Sequence, residues 1–322
     1  MRNPLIKRLP RELKGDIGKY LVIFLFMTML ISLVSGFLVA DNSVYDAYEK
    51  GFEKYNVEYA DFVTADEMSD ETIKELENDN KVRIYDQRYY KLKESKRNAT
   101  IRVYGERKEV NKLCIMSGRL AKTDDEITLD RVFAKNNDYK VGDNIKIGDK
   151  DYKITGFVAM PDYSCLFEDN ADMMFDSVNF GVASMTDSGI KKLKKSKLNY
   201  CYAMRYNKKP KSDKEQKNMS DDFLKSLAKK AAVTSYIPRF ENKAINFTGD
   251  DMGGDKAMFI LFDYIVIAIL AFVFAITTSN TIVKEAGVIG TLRASGYTRG
   301  EIVRHYMINP VIVTLISSII GN

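Results

Sequence analysis

The residues of this sequence that could do covalent or metal chemistry are few and spread apart. One histidine, His305, stands between apolar stretches near the C-terminus, and three cysteines, Cys114, Cys165 and Cys201, are scattered through the middle. Nucleophilic catalysis of the Ser/His/Asp or Cys/His kind needs an imidazole beside the nucleophile. No CxxC or Cys/His spacing suggests a metal, and an odd number of cysteines leaves at least one without an intramolecular disulfide; three buried free thiols are expected. The nearest thing to a phosphate loop is "GDDMGGDK", Gly249 to Lys256. Gly249 and Gly254 have the right separation, but Asp255 precedes Lys256 and no Ser or Thr follows. Asp250, Asp251 and Asp255 offer at most a loose cation site, and the stretch reads as a solvated hinge. The chain is expected to be non-catalytic, without cofactor or metal.

What must position any function is membrane. Tyr20 to Ala40, "YLVIFLFMTMLISLVSGFLVA", is 21 residues without a charge. At about 1.5 Å per residue this helix spans roughly 30 Å, a bilayer's hydrocarbon core. It is longer than a signal-peptide core and lacks the polar face of a soluble helix. A second run fills Met258 to Val283 with one charge, Asp263, near its start, and a third runs from Tyr306 to Asn322. The third is expected to be a truncated span.

Lysine and arginine set the orientation. Arg2, Lys7, Arg8, Arg11, Lys14 and Lys19 precede the first run, whereas Asp41, Asp46, Glu49, Glu53 and Glu58 follow it. Lys284, Arg293, Arg299 and Arg304 lie between the second and third runs. Basic flanks stay inside. The expected layout is therefore a cytoplasmic segment 1–19, transmembrane helix 20–40, extracytoplasmic domain 41–257, transmembrane helix 258–283, cytoplasmic coupling segment 284–305 and a third helix 306–322. Residues 41–257 hold 39 basic and 39 acidic residues, so the net charge of +5 lies in the termini and loop. That excess reports topology and gives no argument for nucleic acid.

The inserted segment reads as α+β. Strand-like runs rich in Tyr, Val and Ile recur at 57–65, 81–92, 99–105, 144–160, 179–185 and 200–206. Helices are expected after the N-caps Ser69, Thr186 and Ser220, and "KIGDKDYKI" reads as a hairpin turning near Gly148-Asp149.

Between the second and third runs lies "GVIGTLRASGYTRGEIVRHY", Gly287 to Tyr306. Val288, Ile289 and Leu292 form a short apolar stripe beside Arg293, and Gly296 stands where a left-handed helix stop belongs. Thr298 to Glu301 is a capping box, with Tyr297 and Ile302 placed as a hydrophobic staple. A short helix, a corner and a second helix running into the third span are expected. So short a helix is best explained by a partner groove.

This stretch resembles FtsX-like permeases, which carry a segment close to REIG-x-LRA-x-G-x-[ST]-x-x-[DEQ]-I. The matching residues are Ile289, Gly290, Leu292, Arg293, Ala294, Gly296, Thr298 and Ile302. Val288 stands where the family usually has Glu, and Glu285 lies about one turn earlier. Met116 to Ser164 likewise resembles the external core domain of MacB-type permeases, through Gly118-Arg119, Glu126-Ile127, Ala134, Gly142-Asp143 and Gly156-Phe157-Val158. The resemblance implies the permease half of an ABC transporter in a cell membrane, the bacterial plasma membrane. Its ATPase, which binds the ATP, is on another chain, a second permease copy or half pairs with it, and lipid surrounds it. Glu285, Ile289, Gly290, Leu292, Arg293, Ala294, Gly296 and Thr298 would then contact or position the ATPase. The substrate would be an export, peptide-resistance or lipoprotein-type cargo. A regulator of an extracellular cell-wall hydrolase is the alternative within the resemblance, and an extracellular sensor the alternative outside it.

Overall fold

The computed structural model describes residues 4–193 and 197–322. The chain divides into two compact units, one built from its two ends, up to Asp46 and from Met252, the other from Ala47–Asp251. The helices are α1 (Pro4–Gly15), α2 (Ile17–Lys54), α3 (Asp70–Asn80), α4 (Arg131–Asn136), α5 (Asp187–Lys191), α6 (Asp213–Lys230), α7 (Lys243–Lys284), α8 (Ala286–Ala294) and α9 (Arg299–Gly321). The strands are β1 (Ala60–Thr64), β2 (Val82–Asp86), β3 (Tyr89–Lys93), β4 (Thr100–Tyr104), β5 (Cys114–Gly118) and β6 (Glu126–Asp130). After them come β7 (Asn144–Ile147), β8 (Lys150–Ala159), β9 (Phe180–Ser184), β10 (Leu198–Tyr206) and β11 (Val233–Pro238).

All eleven strands join one mixed sheet of order β11-β1-β10-β3-β4-β9-β6-β8-β5, with β2 also on β10 and β7 on β8. The β4/β9 and β6/β8 pairs are parallel. The expected strand at 81–92 is two strands, because the chain turns at Gln87 and Arg88. There Asp86 accepts from the Arg88 backbone N–H at 2.9 Å and pairs with its guanidinium. Strands β5 and β11 were not expected from the pattern at all.

Two apolar cores lie along the sheet. One gathers Ile101, Val103, Ile127, Leu129, Phe133, Ile154 and Phe180. The other packs α3 and α6 on β1 and β10 through Leu76, Phe62, Tyr202, Met204, Phe223 and Leu227. Ser69 and Thr186 cap their helices as expected, accepting from the N–H groups of Thr72 and Gly189. The third expected cap is corrected. α6 begins at Asp213, ahead of Ser220, with Ser212 accepting from Glu215 N–H, and Ser220 is buried mid-helix against the Tyr236 hydroxyl at 2.8 Å.

The turn residues at 116–164 are fold determinants. Gly148 has φ +61° at the expected β7/β8 hairpin. Gly118 has φ +69°, and a Cβ there would meet the Thr155 carbonyl oxygen at 2.3 Å. Arg119 forks onto Glu126 at 2.6 and 2.7 Å, which holds that carboxyl down at about 2. Ala134 is fully buried in α4.

The stretch 249–256 is a second correction, being continuous helix within α7 rather than a hinge. Gly249 serves helix packing, since a Cβ there would lie 2.8 Å from the Tyr48 ring, whose hydroxyl donates to the Ile245 carbonyl at 2.8 Å. Among the described residues no group of three or more His, Cys, Asp or Glu could hold a metal ion. The cysteines are free, with Cys201 buried and Cys114 and Cys165 half-buried.

Candidate functional site

In the unit built from the chain ends, α2, α7 and α9 are long and apolar enough to cross a membrane. α9 is the least apolar of the three, with a mean hydropathy of 1.4 against 2.6 and 2.8, and its burial pattern explains why. Ile302, His305, Tyr306, Asn309, Pro310, Val313, Ser317 and Gly321 are its buried residues. Their spacing is that of one helix face, and half of that face is polar or small. The Ser317 hydroxyl donates to the Phe24 carbonyl at 3.4 Å, and a Cβ on Gly321 would meet the Thr28 carbonyl oxygen at 2.9 Å. Small residues four apart let helix backbones approach closely. That spacing was a readable sequence signal for the α2/α9 contact.

The corner is built by local backbone chemistry. α8 closes in a full Schellman motif. Gly296 N–H donates to the Arg293 carbonyl at 3.1 Å and Tyr297 N–H to the Leu292 carbonyl at 3.2 Å. Gly296 supplies the required positive φ, +93°. α9 then opens with the expected capping box. Thr298 accepts from Glu301 N–H at 3.3 Å, and the Glu301 carboxylate accepts from Thr298 N–H at 2.9 Å. Eight carbonyl and amide groups at two adjoining helix ends would otherwise lack partners; these bonds satisfy several within five residues and fix the turn.

The apolar stripe of α8 is divided between two directions. Ile289 and Arg293, four apart, line a 410 Å³ groove with Thr278, Ile282, Ile302 and Met307. Val288 is exposed, and Leu292, also four residues on, is half-buried. Gly290, Ala294, Gly296 and Thr298 are exposed. Val288 is therefore the exposed apolar side chain of α8, with half-buried Leu292 one turn on along the same edge.

Glu285 lies at the junction of α7 and α8 and faces inward. Its carboxylate accepts from the Tyr306 hydroxyl at 2.5 Å and the Arg8 guanidinium at 3.3 Å. Arg8 also pairs with Glu12 at 3.1 Å, and Glu12 reaches His305 Nε2 at 3.0 Å. Lys19 adds a bond to the Thr281 hydroxyl at 2.9 Å. Helix α1 is thus clamped to the corner by charge. Sequence reasoning placed Glu285 among the partner-facing residues and left Arg8, Glu12, His305 and Tyr306 out. The Arg8–Glu285 and Glu12–His305 pairs join positions nearly 300 residues apart, which local spacing cannot reveal.

The FtsX-like permease C-terminal family matches residues 260–322, covering most of α7, the corner and α9. No curated protein matches. The periplasmic region of MacB from Actinobacillus actinomycetemcomitans is a solved structure similar to this chain, at 13% identity and a TM-score of 0.34, covering 59% of this chain and 91% of its own. The extracellular domain of the ABC-type transporter YknZ from Gram-positive bacteria is similar at 12% identity and a TM-score of 0.33, covering 56% of this chain and 98% of its own. The C-terminal 63 residues thus match the FtsX-like permease C-terminal family, in a chain whose α+β domain is inserted between apolar helices long enough to cross a membrane.

Proposed function

We propose that this chain couples a separate ABC ATPase to its inserted domain, with α8 as the element the ATPase grips. The observation that carries the reading is the corner itself. A nine-residue helix between two apolar helices is closed by the stop at Gly296 and followed at once by the capping box of α9, yet it leaves Val288 exposed and Leu292 only half-buried. An isolated helix that short is marginal in water, so the caps and a partner surface are what give it a fixed shape.

In this reading the Glu285–Tyr306–Arg8 contacts hold the α7/α8 junction to α1 and α9. A push on α8 is then delivered to helices rather than absorbed in a loop. Residues 1–19 and 284–305 are cytoplasmic, residues 41–257 extracytoplasmic, and a second permease copy or half completes the assembly. ATP is bound and hydrolysed by the partner; this chain contributes no cofactor. The cargo belongs to the export, peptide-resistance or lipoprotein type.

The topology is tested with an impermeant thiol reagent on intact cells, using single cysteines at 150 or 299 in a chain without its native cysteines. Labelling at 150 and protection at 299 are expected. Labelling at 299 with protection at 150 overturns the orientation and with it the coupling role of α8.

A further inference from the structure

The alternation of side chains along five neighbouring strands builds a second site, inside the Ala47–Asp251 unit. On β1, Phe62 faces the helices while Asp61 and Val63 face the other way. On β4, Ile101 and Val103 enter the core while Arg102 and Tyr104 line the opposite side. The register carries that face across the sheet, since Val63 pairs with both Ser235 of β11 and Cys201 of β10, and Tyr104 with Tyr89 of β3. All of these residues line one 210 Å³ cavity. Its far side is formed by the segment after β8, with Asp162, Tyr163 and Phe167, and by Arg107 and Glu58.

The charges of this cavity do not cancel among themselves. Arg107, whose side chain is 2% exposed, is spent on Asp162 at 2.6 and 2.8 Å, and its guanidinium lies 4.0 Å from the centre of the Tyr104 ring. Among the described residues Arg102 has no carboxylate partner; it donates to the Tyr163 hydroxyl at 2.8 Å and to the Glu168 carbonyl. Asp61 accepts a side-chain amide from Asn242 at 3.2 Å, and buried Glu58 accepts one from Asn111 at 2.8 Å. Among the described residues, three buried polar atoms of side chains lining this space have no partner: Arg102 Nε, Arg107 Nε and Gln87 Oε1. Gln87 is 8% exposed. Buried polar groups are almost always satisfied, and exceptions call for an explanation.

We infer that this cavity binds a small neutral α-amino acid. Its ammonium would meet Asp61 and Glu58, its carboxylate the free edges of the Arg102 and Arg107 guanidiniums, and its side chain the wall of Val63, Phe167 and Ile237. One ligand then supplies both a cation and an anion where the protein offers both unpaired signs. The size agrees, because a protein cavity of about 150 Å³ accepts benzene. Small-molecule sites combine such an apolar wall with a few convergent polar groups. The inference does not depend on the coupling role proposed above.

Calorimetry on the full-length chain in detergent tests it, with alanine, valine, leucine, aspartate and lysine as probes and acetate and methylammonium as half-ligands. Valine or leucine should bind, and each half-ligand should bind at least about tenfold more weakly, since truncating one buried charge partner weakens binding by that much or more. Asp61→Asn and Arg102→Gln should each cost at least about tenfold while melting as cooperatively as wild type. If Arg102→Gln does not fold, Gln87→Leu replaces it and should weaken binding several-fold with every charge in place. No binding by any amino acid at 10 mM (about the weakest affinity of interest), acetate or methylammonium binding as well as valine, or unchanged binding in Asp61→Asn, would each overturn the inference.

Discussion

The α1 clamp and the cavity of the inserted domain use the same residue types, Arg, Glu or Asp, and Tyr, to opposite effect. In the clamp every named carboxylate meets a donor within the unit: Glu285 meets Arg8 and Tyr306, and Glu12 meets Arg8 and His305. In the cavity Arg107 and Asp162 match, whereas Arg102, Asp61 and Glu58 are left without a charge of opposite sign in contact. A closed network holds helices in register, and an open one keeps capacity for something else. The second difference is burial. The Arg8 and Glu285 side chains are 33% and 27% exposed, against 2% and 7% for Arg107 and Asp162.

Burial predicts the largest contrast. Arg107→Met leaves Asp162 buried without a cation and should lower the stability of the inserted domain by about 3–5 kcal/mol. Arg8→Met, at a half-exposed pair, should cost about 1 kcal/mol or less. Thermal or denaturant unfolding of the purified chain compares them. Equal effects would erase the distinction between the two networks.

The cavity should also show itself in pH dependence. Burial pushes the Asp61 carboxyl up to about 7, so the folded state holds a proton that the unfolded chain releases near 4. Stability must then fall as pH rises from about 4 to about 7, and be flat in this respect above it. The total is on the order of a few kcal/mol at most. Asp61→Asn should flatten that window, and an unchanged slope would show that Asp61 is not the group responsible.

How much of this could be read from the sequence depended on range. The three apolar runs, the Ser69 and Thr186 caps, Gly296 and the Thr298 box are set by neighbours within a few residues, and they stand where the pattern put them. Ser220 misled because Met219, Phe223 and Leu227 give the apolar stripe only from that point, while the first two turns of α6 are wholly polar. β11 was lost because its burial is partial along most of its length. The clamp and the cavity were illegible for one shared reason. Strand alternation gives the face of Asp61 or Arg102, but nothing local says that Glu58, Arg107 and Asn242 will meet there.

At the corner the expected effect is smaller. A Cβ at Gly296 would meet nothing within 4 Å, so the cost of Gly296→Val is backbone strain alone at φ +93°. That is roughly 1–2 kcal/mol, enough to loosen the turn and lower ATP turnover in membranes while leaving the inserted domain's melting unchanged. Wild-type turnover would mean that the Schellman stop is dispensable.

Co-purification of the ATPase with Leu292→Asp full-length permease is the most direct test of the coupling role. The variant places a carboxylate on the Val288/Leu292 edge of α8, where Val288 is exposed and Leu292 half-buried, and an unpaired charge in an interface costs about 1–3 kcal/mol or more. Binding should weaken between about fivefold and more than a hundredfold, with the inserted domain still folded. Retention of the ATPase at the wild-type level would contradict the assignment of α8 as the element it grips.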